Sequence, residues 1–193
     1  MMKTFLEIGS CDFDTLNYLS DEGWQGAIVE PMEKYLNNIP RKPNVHYLNY
    51  AVDEKEGTRI LYHANDDVVN YDRDYAGMST FTQQEPIGFL TEEAIVNTIT
   101  FERVLELTKF TEIDYLKIDV EGYDLILLRM FPFGIVKPKS IKIEYHHIGL
   151  ELICEPLRQQ GYHCENDGTD VYATLTALRG ASSPLYNDLP QSP

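Results

Sequence analysis

The sequence predicts an α/β fold built on a mostly parallel sheet, and three observations carry that expectation. Short apolar runs alternate with segments of helical period along most of the 193 residues. These runs are too apolar to keep one face in water, as in parallel strands covered by helices on both sides. The last two flank Asn166-Asp167-Gly168-Thr169, whose Asp-Gly turn predicts a C-terminal antiparallel hairpin.

Thr4 to Gly9 reads as a first strand stopped by Gly. Behind it, Asp14 to Gly23 carries Leu16 and Leu19 at helical spacing, with Asp14 or Thr15 as N-cap. Gly26 to Glu30 is a second strand ended by Pro31, Met32 to Leu36 a short helix, and Val45 to Asn49 a third strand ahead of Ala51-Val52. Arg59 to His63 offers an added strand, because Ile60 and Tyr62 alternate with polar neighbours. Residues 65–93, rich in Asp, Asn, Tyr, Gly, Ser, Thr and Gln, are expected to form a long irregular substrate loop. Asn97 to Thr100 reads as a short strand, and the helix after it puts Phe101, Val104, Leu105 and Thr108 on one face. Ile113 to Asp119 and Ser140 to Glu144 are further strands, followed by helices over about 123–130 and 150–160, the second of which Pro156 should break or kink. The expected organisation is a single domain over 1–178 and a flexible tail over 179–193, where Pro, Ser, Asn and Gln accumulate.

Sixteen Lys and Arg against thirty-one Asp and Glu leave a formal charge of -15, which argues against a nucleic-acid partner, since that needs a cationic stripe. No run approaches the roughly 18 to 20 apolar residues of a membrane span, and Met1-Met2-Lys3-Thr4 leads into polar sequence without a signal-peptide core. A cytoplasmic protein with no membrane partner is expected. Cys11, Cys154 and Cys164 are odd in number and unclustered, and read as reduced thiols rather than a disulfide framework or a zinc site. Apolar helices at the sheet edges would allow a homodimer, with no interface located.

Ligands of an open parallel sheet bind beyond the carboxyl ends of its strands, where strand order reverses. There the first strand leads into Glu7-Ile8-Gly9-Ser10-Cys11-Asp12, a turn with one Gly and several acids nearby. A dinucleotide loop needs three glycines so that a pyrophosphate reaches backbone amides, and carboxylates would repel it. The same turn, with Glu7, Gly9, Ser10 and Asp12 as candidate contacts, suits a ligand bearing an ammonium and a sulfonium. Glu30, ending the second strand beside Pro31, is placed to accept both hydroxyls of an unphosphorylated ribose. Ala51 and Val52 are small and apolar enough to receive adenine, although a plain strand end fits them as well. Together these features describe S-adenosyl-L-methionine.

Four segments carry a family resemblance: Phe5 to Thr15, Gly23-Trp24-Gln25-Gly26 through Glu30-Pro31, Ile113 to Gly122, and Ile141 to Glu144. In order along the chain, they resemble the FkbM-type family of S-adenosylmethionine-dependent methyltransferases. The most specific piece is Leu116-Lys117-Ile118-Asp119-Val120-Glu121-Gly122. The resemblance implies a class I methyltransferase Rossmann-like sheet of seven mostly parallel strands, and O-methylation of a sugar or other small-molecule hydroxyl. Members often have a second Gly where this chain has Phe13, so the turn is expected to be wider or Phe13 to cover the methionine end.

Period-two alternation puts Tyr115, Lys117 and Asp119 on one side of their strand and Lys142, Glu144 and His146 on one side of the next, so Lys117 and Glu144 are expected to pair. Asp119 is placed to face the cofactor's methyl end or the acceptor, and Asp119, His146 and Lys117 are the catalytic candidates. Three readings stay open: Asp119, Glu144 and His146 hold Mg²⁺; His146 or His147 is a general base; or Tyr145-His146-His147 is a polar exit from a strand. Ser79, Thr80 and His147 are candidate substrate contacts, with a plain surface loop as the competing reading at 77–81. Glu121 and Gly122 are read as the start of a helix, with the carboxylate complementing its dipole. Two other classes remain: a nucleotide-dependent oxidoreductase, which the single-Gly acidic turn opposes, and a non-catalytic binding module of the same fold.

Overall fold

The structure is a computed structural model that describes residues 2–13, 15–71, 75, 77–81, 91–146 and 148–176. Asp14, His147 and the expected tail over 179–193 therefore lie outside the described residues, as does most of the second half of the expected loop. In chain order come β1 (Thr4–Ile8), a 3-10 helix (Leu16–Glu22), β2 (Gln25–Val29), α1 (Glu33–Asn38), β3 (Val45–Leu48), β4 (Ala51–Val52) and β5 (Gly57–Ala64). They are followed by α2 (Asp66–Tyr71), β6 (Thr91–Ile99), α3 (Phe101–Thr108), β7 (Tyr115–Ile118), α4 (Asp124–Met130), β8 (Ser140–Glu144), α5 (Leu150–Gln159), β9 (Tyr162–Asn166) and β10 (Asp170–Leu175).

Seven strands form the main sheet in the order β3-β2-β1-β7-β8-β10-β9. Only β10 runs against the others, pairing antiparallel with β8 and β9 across the hairpin read from the sequence. The central strands are buried on both faces, so their composition is nearly continuous rather than alternating. On one face Leu6, Ile8, Leu116, Ile118, Ile141 and Ile143 pack in the core that includes α3, α4 and α5 residues. On the other, Phe5, Ile28 and Tyr115 meet Leu16 and Leu19 of the 3-10 helix, Leu36 of α1, and Trp24. That helix starts at Thr15, whose hydroxyl accepts from the Asn17 amide, and stops at Gly23 in the left-handed region.

Three expectations change. First, a second sheet, β4-β6-β5, joins the pieces read as isolated: Ala51 and Val52 pair parallel with Thr98 and Ile99, and β5 runs antiparallel along β6 from Gly57↔Thr98 to Ala64↔Thr91. Secondly, the expected irregular loop over 65–93 contains α2, and β6 already begins at Thr91 rather than near Asn97. Among the residues that suggested a loop, Glu92 and Glu93 belong to β6 and are exposed. Thirdly, Pro156 does not break α5, which runs on to Gln159. The carbonyl that Pro156 cannot bond, four residues back, belongs to the exposed Leu152, where water can satisfy it.

Candidate functional site

β1 and β7 are parallel neighbours, and the chain leaves them in opposite directions across the sheet, so the switch point lies between their carboxyl ends. A cleft opens there. It encloses about 800 Å³ of space between atoms, open solvent at its mouth included. Its floor is the Gly9 turn. Gly9 has φ +76, and a Cβ there would stand 1.9 Å from the Asp119 carbonyl oxygen, so the two strand ends approach as closely as they do only because this residue has no side chain.

Of the expected cofactor residues, Gly9, Ser10, Glu30, Pro31, Ala51, Val52 and Asp119 line the cleft. Glu30 is 3% exposed. Its Oε2 accepts the amides of Ser10 (3.2 Å) and Cys11 (2.8 Å), and its Oε1 accepts that of Met32 (2.8 Å). Burial pushes its carboxyl up to about 7, against the pull of those three amides. A carboxylate offers about four acceptor positions, so the amides leave it with little spare capacity in this state.

Glu7 and Asp12 are placed differently from expectation, for they do not line the cleft. Glu7 lies fully buried below it, accepting from Thr15 Oγ1 (2.7 Å) and the Leu16 amide (2.8 Å) and so tying β1 to the start of the 3-10 helix. Asp12 turns toward α1, where Asn38 donates to it at 2.6 Å.

Lys117 also departs from expectation. Its ammonium meets Glu7 Oε1 at 3.2 Å and lies 4.0 Å from Asp119 Oδ2. The reason is register: Lys117 stands opposite Glu7 on β1 and opposite Lys142 on β8, one step short of Glu144. Lys142 finds its anion on β10, in Asp170 at 3.1 Å. Glu144 instead joins a set of acids; burial, then Glu121, Asp119, Asp124 and Asp170, push its carboxyl up to about 8.

The expected metal set is not assembled: among the described residues, no three His, Cys, Asp or Glu side chains are grouped to hold an ion. Neither Glu144 nor His146 lines the cleft, and His146 is exposed beyond the end of β8.

Glu121 and Gly122 form a turn rather than the start of a helix, with φ +54 and +93. The carboxylate at the head of α4 is Asp124, fully buried, which accepts the amides of Val120 (3.1 Å) and Gly122 (3.0 Å) and folds the turn around itself. Glu121 is thereby presented to the cleft, its carboxyl pushed up to about 7 by burial, then by Asp119 and Asp124.

Ser79 and Thr80 do line the cleft. Thr80 is stitched to β5 by paired backbone bonds with Tyr62, each 2.9 Å. Ser79 Oγ is buried and has no hydrogen-bond partner among the described residues. Phe13 reaches the cleft as expected for a covering residue. Sequence reasoning missed Tyr35, Leu61, Phe81 and Tyr123 as lining residues. Only Leu61 carried a usable signal, as the apolar residue between the two that marked its strand.

A mostly parallel seven-stranded sheet with one antiparallel strand near its edge, and an acid-lined cleft at the switch point, define the Rossmann-like class I methyltransferase fold. Comparison with known families agrees: the family model described as "Methyltransferase FkbM domain" matches residues 7–178, and the chain belongs to that family of methyltransferases. No curated protein matches it. Among solved structures, it is similar to one titled "Crystal structure of fibrillarin/Nop5p complex", at 12% identity and a TM-score of 0.44, over 89% of this chain and 70% of that one. No helix among the described residues is long and apolar enough to cross a membrane.

Proposed function

We propose that this methyltransferase uses S-adenosyl-L-methionine and transfers its methyl group to a hydroxyl of a small acceptor, carbohydrate-like or natural-product in kind. The observation that carries the cofactor reading is the use of the Gly9 turn. Its two amides, Ser10 and Cys11, already donate to Glu30, so the turn offers no free pair of donors to a pyrophosphate. That argues against a dinucleotide and for a ligand with a bare ribose.

The residues present fit such a group. Glu30 would take a ribose hydroxyl on the acceptor position that the Met32 amide leaves on Oε1, keeping the turn amides on Oε2; Pro31, Tyr50, Ala51 and Val52 would border adenine; Gly9, Ser10 and Asp119 would border the amino-acid end. Asp119 and Glu121 would supply negative charge toward a sulfonium. When bound, the cofactor supplies a methyl carbon already activated for displacement. The chain then has to align an acceptor oxygen, exclude water and receive a proton. We assign alignment to the orphaned Ser79 hydroxyl and proton removal to the carboxylates of the β7 end, with Asp119 foremost. His146 and His147 have no part in this assignment.

Calorimetric titration with S-adenosylhomocysteine tests the reading. The folded protein should bind it, and Glu30→Ala should weaken binding by about 1.5–3 kcal/mol for each hydrogen bond to a charged group lost. No heat of binding at millimolar ligand would refute the cofactor; unchanged affinity in Glu30→Ala would refute the ribose contact. Transfer to hydroxyl acceptors in a panel of sugars and metabolites, with none to amines or thiols, checks the acceptor class.

A further inference from the structure

The three-stranded sheet brings a cation to the rim of the cleft without making it part of the lining. Along β5, Arg59 and Leu61 fall on one side by period two, and Leu61 lines the cleft. The Arg59 guanidinium donates from Nη1 to Asp53 Oδ2 (2.8 Å) and to the Tyr123 hydroxyl oxygen (3.1 Å). It also lies 3.9 Å from the centroid of the Phe81 ring and 5.1 Å from that of Tyr123. The two rings meet edge to face, 5.1 Å apart at 90°, and the Tyr123 hydroxyl donates to Asp53 Oδ1 at 3.0 Å. Four side chains from four separate segments thus close on one another: Asp53 after β4, Arg59 on β5, Phe81, and Tyr123 at the head of α4. Phe81 and Tyr123 line the cleft; Arg59 and Asp53 do not.

What this cluster holds is the short strap over 77–81. One end is packed close to Phe13, since a Cβ on Gly77 would stand 3.3 Å from its ring and 3.8 Å from Glu121 Oε1. Next, Thr80 is bridged to Tyr62 of β5, and the following residue, Phe81, lies under the guanidinium. Ser79, with its orphaned hydroxyl, sits between these anchor points. The plain alternative is a partly buried ion pair between Arg59 and Asp53 and nothing more. An ion pair alone, however, needs no planar group, whereas lying over the Phe81 ring while bonding a carboxylate and a phenol does.

We infer that Arg59 is a positioning residue for this cleft: packed over the Phe81 ring and bonded to the Tyr123 hydroxyl, it sets the place of the two rings that wall the bound cofactor. This rests on the reading that the cleft takes an S-adenosyl cofactor.

The test titrates the full chain with S-adenosylhomocysteine in wild type, Arg59→Lys, Phe81→Leu and the double variant, with thermal midpoints measured alongside. Arg59→Lys keeps a cation for Asp53 and should hold its thermal midpoint near that of wild type, yet bind about tenfold more weakly for want of the stacked plane. Phe81→Leu should lose a similar factor, and the double variant no more than either single one, because both act through the same contact. Arg103→Ala, which breaks an exposed pair with Glu106 away from the cluster, should leave both measurements unchanged. Wild-type affinity in Arg59→Lys, or additive losses in the double variant, would overturn the inference. An affinity loss matched by a fall in thermal midpoint in both Arg59→Lys and Phe81→Leu would make the role structural and overturn it too. Failure of wild type to bind would overturn the cofactor reading, and this inference with it.

Discussion

The two sheets wall the same cleft but are held together by different physics. The main sheet brings to the site a buried ion pair, a turn without a side chain and carboxylates capped by backbone amides, all under a closed apolar core. The three-stranded sheet brings one covered face and one wet one. Ile60 and Ile95 stand opposite each other on its outer side, 44% and 80% exposed, while the charged Arg59 lies on the side that meets the cleft. On that covered side Leu61, Val96 and Ala51 are buried in one apolar cluster.

Breaking the first sheet's ion pair should have the largest effect. Lys117→Met leaves Glu7 buried without its cation, and should cost about 3–5 kcal/mol in urea denaturation. If the destabilisation is real charge isolation, a second change, Glu7→Leu, should recover much of it; no recovery would point to packing instead.

A pH series sharpens the contrast next. Glu30, Glu121 and Asp124 have carboxyls raised to about 7 and Glu144 to about 8, each chiefly by burial. A carboxyl raised in the folded state favours folding fully below its unfolded value, near 4, and loses that contribution as pH climbs through the folded value. The ligand-free thermal midpoint should therefore fall between about pH 4.5 and 8. Asp53 and Asp167, whose carboxyls are lowered, titrate below this window and do not mask the trend. Scanning calorimetry across the range checks it, and a midpoint rising toward pH 8 would contradict the acid-lined cleft. The smallest effect belongs to the outer face of the second sheet: Ile95→Thr should shift stability by no more than about 0.5 kcal/mol, and a large loss would mean that this face is covered.

Legibility divides along the same line. The strands of the main sheet were readable because burial on both faces makes them continuous apolar runs, and the hairpin because an Asp-Gly turn has local chemistry. Glu30 was found from its position at a strand end beside Pro31, and it does line the cleft. The second sheet was not readable as a sheet. Its longest strand, β6, opens with Thr91-Glu92-Glu93, whose two glutamates are exposed and imitate a loop. Glu7 and Asp12 counted as cleft acids because they neighbour Gly9 in sequence, but Glu7 points below the turn and Asp12 toward α1. Asp124 was passed over because nothing local marks a carboxylate as the acceptor for a turn four residues back.

By itself, then, the amino-acid sequence determined the succession of strands and helices, the parallel character of the main sheet, the family and the acid at the end of β2, because each depends on periods and turns spanning only a few residues. Tertiary structure alone decided which carboxylate Lys117 would meet, that 51–99 would supply a second wall, and that Arg59, Phe81 and Tyr123 would come together. Those outcomes depend on register between strands that are distant in the chain, where a shift of one residue turns every side chain to the opposite face.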